Sequence, residues 1–234
     1  MLFVENPYLK EFESNVKKIE NNNIILEETA FYARSGGQPG DIGKIILNEK
    51  EINIIDTVYD HEKNISHICE DINSLKIGDK INGKINWQNR YMHMRMHSAL
   101  HLLCSLIPYD VTGGQISYEK SRLDFNAENK IEKEEIQNKI NQLVKEDHQI
   151  SYQWITNEEL AKQPELVRTM SVKPPSTNNK IRLVKIGNID LQPCGGTHVK
   201  STKEIGEIKI GKIENKGKMN RRVNLLLNDS IITI

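Results

Sequence analysis

Residues 88–107, QNRYMHMRMHSALHLLCSLI, are where this chain changes its period. Met92, Met96, Ala99, Leu103 and Ile107 recur at i, i+4, i+7, i+11 and i+15, which is one face of an α-helix, and Pro108 ends the run. Upstream the rhythm differs. The apolar runs Ile24-Ile25-Leu26, Ile45-Ile46-Leu47 and Ile52-Asn53-Ile54-Ile55 are short, and turn formers such as Asn21-Asn22-Asn23, Ser35-Gly36-Gly37 and Asn48-Glu49-Lys50 separate them. That pattern suits a small, strongly bent antiparallel sheet or barrel. Ile77-Gly78-Asp79-Lys80 and Ile81-Asn82-Gly83-Lys84 read as its last hairpin. The predicted boundary falls near residue 88, with a β-barrel over residues 1–87 and a second domain over residues 88–234.

The second domain mixes periods. A helix is predicted over residues 128–147, with Ile131, Ile136, Ile140, Leu143 and Val144 as its buried stripe. Glu132, Lys133, Glu134, Glu135 and Lys139 form its solvated face. Arg122-Leu123-Asp124-Phe125, Ile181-Arg182-Leu183-Val184-Lys185-Ile186 and Glu207-Ile208-Lys209-Ile210 read as strands. Residues 157–162 read as a short helix stopped before Pro164, and residues 173–180 as a loop. The predicted fold class is α+β: a small N-terminal β-barrel, then a domain with helices packed on an antiparallel sheet.

Composition narrows the function classes. The 234 residues carry 32 Lys+Arg against 32 Asp+Glu, so a polyanion would have to be met by a local patch. No run approaches the roughly 20 apolar residues that span a bilayer, and Met1-Leu2-Phe3-Val4 leads to Glu5 without a signal-peptide core, so no membrane partner is expected. Cys69, Cys104 and Cys194 are an odd set, which argues for a reducing compartment; the expected location is cytoplasmic.

Two clusters carry metal chemistry. His97 and His101 are four apart, so on a helix their Cβ atoms lie about 6 Å apart on one face. Their stripe lies roughly 100–120° around from the Met96/Leu103 stripe, at the margin of the expected buried face. His93 and Cys104 continue it and are alternative ligands. The HExxH of zinc proteases is excluded, because Ser98 stands where the glutamate base is needed. In Cys194-Gly195-Gly196-Thr197-His198, two glycines permit a tight turn through φ > 0 that would aim thiol and imidazole at one point. A reactive Cys-His pair or a plain glycine turn with a buried cysteine are the alternatives. Taken together, His97, His101, Cys194 and His198 make a tetrahedral Zn²⁺ shell.

The blocks Arg95-Met96-His97-Ser98-Ala99-Leu100-His101-Leu102-Leu103 and Cys194-Gly195-Gly196-Thr197-His198-Val199 resemble the editing domain of alanyl-tRNA synthetase and, still more closely, the free-standing AlaX-type trans-editing proteins. Thr29-Ala30-Phe31-Tyr32 with residues 35–43 resembles the family's glycine motif; residues 204–206 and 215–223 resemble its C-terminal segment. The length resembles the medium AlaX form. This resemblance implies hydrolysis of the ester joining serine, and also glycine, to tRNA(Ala), without ATP. It maps the metal ligands onto His97, His101, Cys194 and His198, and substrate contacts onto Thr29, Gln38, Gly36 and Gly37. Thr29 would recognise a seryl hydroxyl. Ser98 departs from the more usual threonine but keeps the hydroxyl. Those substrate roles require barrel and editing domain to share a cleft.

No Ser-His-Asp set or carboxylate base stands beside these motifs, so no catalytic side chain is assigned and the expected nucleophile is a zinc-associated water. Between Lys200 and Arg222 eight cations face three carboxylates, and Arg221, Arg222, Lys216 and Lys218 are the expected tRNA contacts. The competing reading is a zinc-stabilised RNA-binding module without hydrolysis; a third is a metallohydrolase of small esters.

Overall fold

The structure, a computed structural model, describes residues 1–170, 176–177 and 180–228. The chain forms two compact units, Met1–Met92 and His93–Ile234. It is α+β: a closed antiparallel barrel, then helices packed on antiparallel sheets.

In the first unit a short helix α1 (Leu2–Glu5) precedes strands β1 (Glu11–Glu20), β2 (Asn23–Leu26), β3 (Gly43–Leu47), β4 (Lys50–Tyr59), β5 (Ile65–Cys69) and β6 (Lys80–Ile85). They close in the order β1-β2-β5-β4-β3-β6, with β6 pairing back onto β1. Alternation does the sorting: in β6, Ile81, Gly83 and Ile85 are buried while Lys80, Asn82 and Lys84 are exposed. Phe12, Val16, Ile24, Phe31, Ile45, Ile54 and Ile81 fill the interior. Gly83 must lack a side chain, because a Cβ there would stand 2.5 Å from the Phe12 ring. In β4 alternation puts Ile52 and Ile54 inside and Ile55 outside, 51% exposed, and a bulge between Ile54 and Asp56 then shifts the register so that Thr57 points inward.

The expected last hairpin is not one. Residues 76–79 form a turn, with the Asp79 N–H donating to the Lys76 carbonyl at 3.1 Å and Gly78 at φ +91°. Ile77 is exposed at the turn, and β6 pairs with β1 and β3 instead. Barrel closure gives that strand two neighbours, which outweighs a local hairpin.

Helix α2 (Trp87–Leu106) starts in the first unit. Its Arg90 is wholly buried and forms an ion pair with buried Asp41. Arg90 also donates to the carbonyls of Pro7 at 2.8 Å and Ala30 at 2.6 Å, and Asp41 accepts the Tyr32 N–H at 2.6 Å. A buried guanidinium this well partnered ties the helix start to the barrel.

In the second unit, β7 (Val111–Gln115), β8 (Ser121–Asn126), β13 (Ile208–Asn215) and β14 (Asn220–Leu227) form a sheet in the order β13-β14-β8-β7. A second sheet has β11 (Lys180–Ile186) at its centre, flanked by β9 (Ile150–Thr156) and by β10 (Ser176–Thr177) with β12 (Asp190–Pro193). The residues 173–180 expected as a loop lie largely outside the described residues; 176–177 form β10 and Lys180 opens β11.

Helix α3 (Lys133–Lys145) buries Ile136, Ile140 and Val144. Its Gln137 and Asn141 hydrogen-bond the backbone of Ile208 and Ile210 on β13. It starts later than the sequence pattern indicates. Ile131 is buried, but the chain is still extended at Glu132, so the apolar stripe outruns the helix. Helix α4 (Asn157–Ala161) begins in a capping box between Thr156 and Glu159.

The one-sided stripe expected for α2 is also revised. Every residue from His93 to Cys104 is buried, whereas Met92, counted in the stripe, is partly exposed. Arg95 is accommodated because its Nε and Nη2 donate to the Ile205 carbonyl at 2.9 and 2.7 Å.

Candidate metal centre

Helix α2 presents His97 and His101 one turn apart, as their spacing requires. The other two side chains come from the turn that follows β12. Three backbone and side-chain bonds from β11 shape that turn: the Cys194 N–H donates to the Arg182 carbonyl at 3.0 Å, Arg182 Nε donates to the Cys194 carbonyl at 3.0 Å, and Arg182 Nη2 donates to the Gly196 carbonyl. The Gly196 N–H approaches Cys194 Sγ at 3.4 Å. Gly195 and Gly196 do not adopt positive φ, contrary to the sequence-based expectation; the buried arginine folds the turn from behind instead.

The four groups meet. One ligand atom each from His97, His101, Cys194 and His198 lies within 4.8 Å of the others. Cys194 Sγ is 3.4 Å from His97 Nε2 and 3.3 Å from His198 Nε2. Bonds of about 2.0–2.3 Å to a tetrahedral Zn²⁺ put donor atoms roughly 3.3–3.6 Å apart, so the spacing and the donor chemistry both fit that ion. His198 is fully buried, and the other three are only 6–9% exposed.

A second layer orients the donors. His101 Nδ1 donates to Asp190 Oδ2 at 2.8 Å, which leaves Nε2 facing the cluster; Gln192 Nε2 steadies the same carboxylate at 2.8 Å. Ser98 Oγ lies 3.1 Å from His198 Nδ1 and accepts the Val199 N–H at 3.3 Å. Electrostatics agree. Burial would raise the Cys194 thiol, but His97 and His198 outweigh it and hold the group well below its ordinary value. Burial would lower His101, yet hydrogen bonds to Asp190 and Cys194 carry it up to about 10. A thiolate and a carboxylate thus call for positive charge at the centre, supplied by protons or by a cation.

The alternative ligands do not join. Among the described residues the metal-capable cluster comprises these four, without His93 or Cys104. Burial pushes the Cys104 and Cys69 thiols up to about 11, as for inert core cysteines.

Residues 181–224 match the family described as "Threonyl and Alanyl tRNA synthetase second additional domain", and residues 3–89 match "tRNA synthetases class II (A)". The alanyl-tRNA editing protein AlaX-M of Saccharolobus solfataricus is 39% identical over 228 residues, which cover 95% of this chain and 96% of that protein. Its counterparts from Methanosarcina mazei and Methanosarcina acetivorans are each 36% identical, covering 97% and 98% of this chain and 96% and 99% of their own lengths. This chain belongs to the AlaX-M alanyl-tRNA editing family. The first match spans β11, the Cys194–His198 turn and most of β14; the second spans the barrel of this AlaX-M member and the first residues of α2.

The remaining sequence-selected residues sit as follows. Thr29 is buried in the first unit, its Oγ1 2.8 Å from His67 Nε2. Gly36 and Gly37 take φ of +54° and +83° in a two-residue turn closed by the Ser35 and Gln38 backbones, where only glycine is unstrained, and Gln38 is fully buried. Lys216 and Lys218 are exposed on the β13–β14 hairpin, with Lys216 2.8 Å from Glu214. Arg221 and Arg222 are committed elsewhere. Arg222 grips Asp124 in a fork at 2.8 and 2.9 Å, and Arg221 donates to the carbonyls of Gly217, Lys218, Asn220 and Glu128. Both brace the hairpin. Sequence reasoning missed Asp190, Arg182 and His67. Only Asp190 left a signal: in an extended strand, positions 190, 192 and 194 share a face.

Proposed function

We propose that this chain deacylates mischarged tRNA(Ala), serine chiefly and glycine also, with Zn²⁺ held by His97, His101, Cys194 and His198. The observation that carries the reading is the gathering of three imidazoles and one thiol, with Asp190 on His101, Ser98 beside His198 and the Gly196 N–H on Cys194, in a member of the alanyl-tRNA editing family. When bound, zinc would polarise the ester carbonyl or give the terminal adenosine a fixed post. An aminoacyl ester is already activated, so the chain's own task is to position it and a water. Thr29 and Gln38, with the Gly36-Gly37 turn, recognise the aminoacyl group; Lys216 and Lys218 meet the RNA, with Arg221 and Arg222 holding their hairpin in shape. No side chain is assigned as general base, and no ATP is needed.

One observation favours the alternative: four protein donors fill a tetrahedron, the pattern of structural zinc, as a binding module would use. Deacylation of seryl-tRNA(Ala), with alanyl-tRNA(Ala) as control and with and without a chelator, decides. Chelator-sensitive release of serine is expected. Tight RNA binding with release no faster than in buffer selects the binding module.

A further inference from the structure

We infer that His67 is a positioning residue that turns Thr29 into an obligate hydrogen-bond acceptor, making Thr29 a filter for aminoacyl groups that donate. The inference rests on the proposed role of Thr29 as the seryl contact.

A threonine hydroxyl has one proton and two lone pairs. His67, wholly buried on β5, has Nδ1 3.0 Å from the Ile24 carbonyl and Nε2 2.8 Å from Thr29 Oγ1. A carbonyl only accepts, so Nδ1 must carry the imidazole proton. Burial lowers His67 to about 4, so the ring is neutral near pH 7 and Nε2 offers only a lone pair. The Thr29 proton is therefore committed to Nε2. The Phe31 N–H, 3.1 Å away, takes one lone pair of Oγ1. Among the described residues these are the hydroxyl's partners, which leaves one lone pair and no proton. The ring cannot swing to release it: the Phe31 ring meets it edge-on at 5.4 Å, and Ile24 holds the far side.

Whatever meets that lone pair must donate. A seryl hydroxyl does. A glycyl group leaves room for a water, which also donates. An alanyl methyl would leave the lone pair unpaired and unhydrated, and a site built for a polar group rejects such an isostere strongly. The cognate alanyl ester is refused by a mismatch of hydrogen-bond polarity as well as by fit.

The test compares seryl-, glycyl- and alanyl-tRNA(Ala) deacylation by the full chain as wild type, His67→Phe and His67→Gln. Phenylalanine keeps the ring volume and removes the acceptor; glutamine restores one through its amide oxygen. His67→Phe should lower the seryl-to-glycyl rate ratio about tenfold or more, and His67→Gln should recover most of it. Equal loss on both substrates, or no change in the ratio, would reduce His67 to a packing role and overturn the inference. Imidazole ¹⁵N spectra of the wild type and of Thr29→Val give a readout independent of activity. A proton on Nδ1 and an Nε2 shift on loss of the hydroxyl are expected; a proton on Nε2 overturns the inference. If the wild type leaves seryl-tRNA(Ala) intact, the deacylase reading falls, while the nitrogen spectra still decide the polarity of the Thr29–His67 pair.

Discussion

His101 donates through Nδ1 to Asp190 across 2.8 Å, and both side chains are 7% exposed. The bond joins the central helix to β12 and fixes which imidazole nitrogen faces the cluster. It also makes that nitrogen a stronger donor, because the carboxylate draws on the opposite N–H.

Asp190→Asn should therefore weaken zinc binding about 10–100-fold while keeping the fold. Competition against a chromophoric chelator reads the affinity, and the far-UV spectrum checks the fold. Unaltered affinity would show that packing alone orients His101.

Replacing cluster members should separate cleanly from replacing their neighbours. His97→Ala and Cys194→Ala should lose bound zinc and deacylation together. His93→Ala and Cys104→Ala should keep stoichiometric metal, measured by elemental analysis; metal loss there would mean that the wrong helical pair has been chosen.

Arg90 and Asp41 should behave as a buried pair. Arg90→Met leaves the Asp41 carboxylate enclosed without its partner, and the expected loss is about 3–5 kcal/mol of stability. Denaturant unfolding followed at Trp87, which stacks on Tyr91 beside it, reads this directly.

Acid should act through His67. Its folded value, about 4, lies below the ordinary 6.5, so between those values the unfolded chain binds the extra proton. Stability contributed by the neutral ring is present above pH 6.5 and is lost as pH falls toward 4, by about 3 kcal/mol at most. Thermal unfolding midpoints measured across that window should fall for the wild type and fall less for His67→Phe.

Much of the site was legible because its signals are local. Four-residue spacing on a helix forces His97 and His101 together whatever surrounds them, and Cys194-Gly195-Gly196-Thr197-His198 is short enough to double back. The barrel was legible for the same reason: alternating burial and positive-φ turn residues such as Asn21, Asn48 and Glu49 are properties of neighbours along the chain. Where the reading went astray, a distant partner had intervened. The stripe on α2 reads as one-sided until Ile205 supplies the carbonyl that lets Arg95 be buried as well. Arg221 and Arg222 also have partners that the sequence does not show, Glu128 and Asp124. Gly195 and Gly196 look like the cause of their turn, whereas Arg182 does that work from the adjacent strand.

The sequence by itself determined the α+β class, the change of period near residue 88 and the identity of four metal-capable side chains, because each depends on spacings of a few residues. Only the tertiary structure decided that Cys194 meets His97 across 97 positions of chain, that Asp190 and Arg182 stand behind the cluster, and that His67 Nε2 lies 2.8 Å from Thr29 Oγ1. Those are pairings between strands and helices remote in sequence, and a hydrogen bond closes over about 3 Å in space with no regard for how many residues separate its ends.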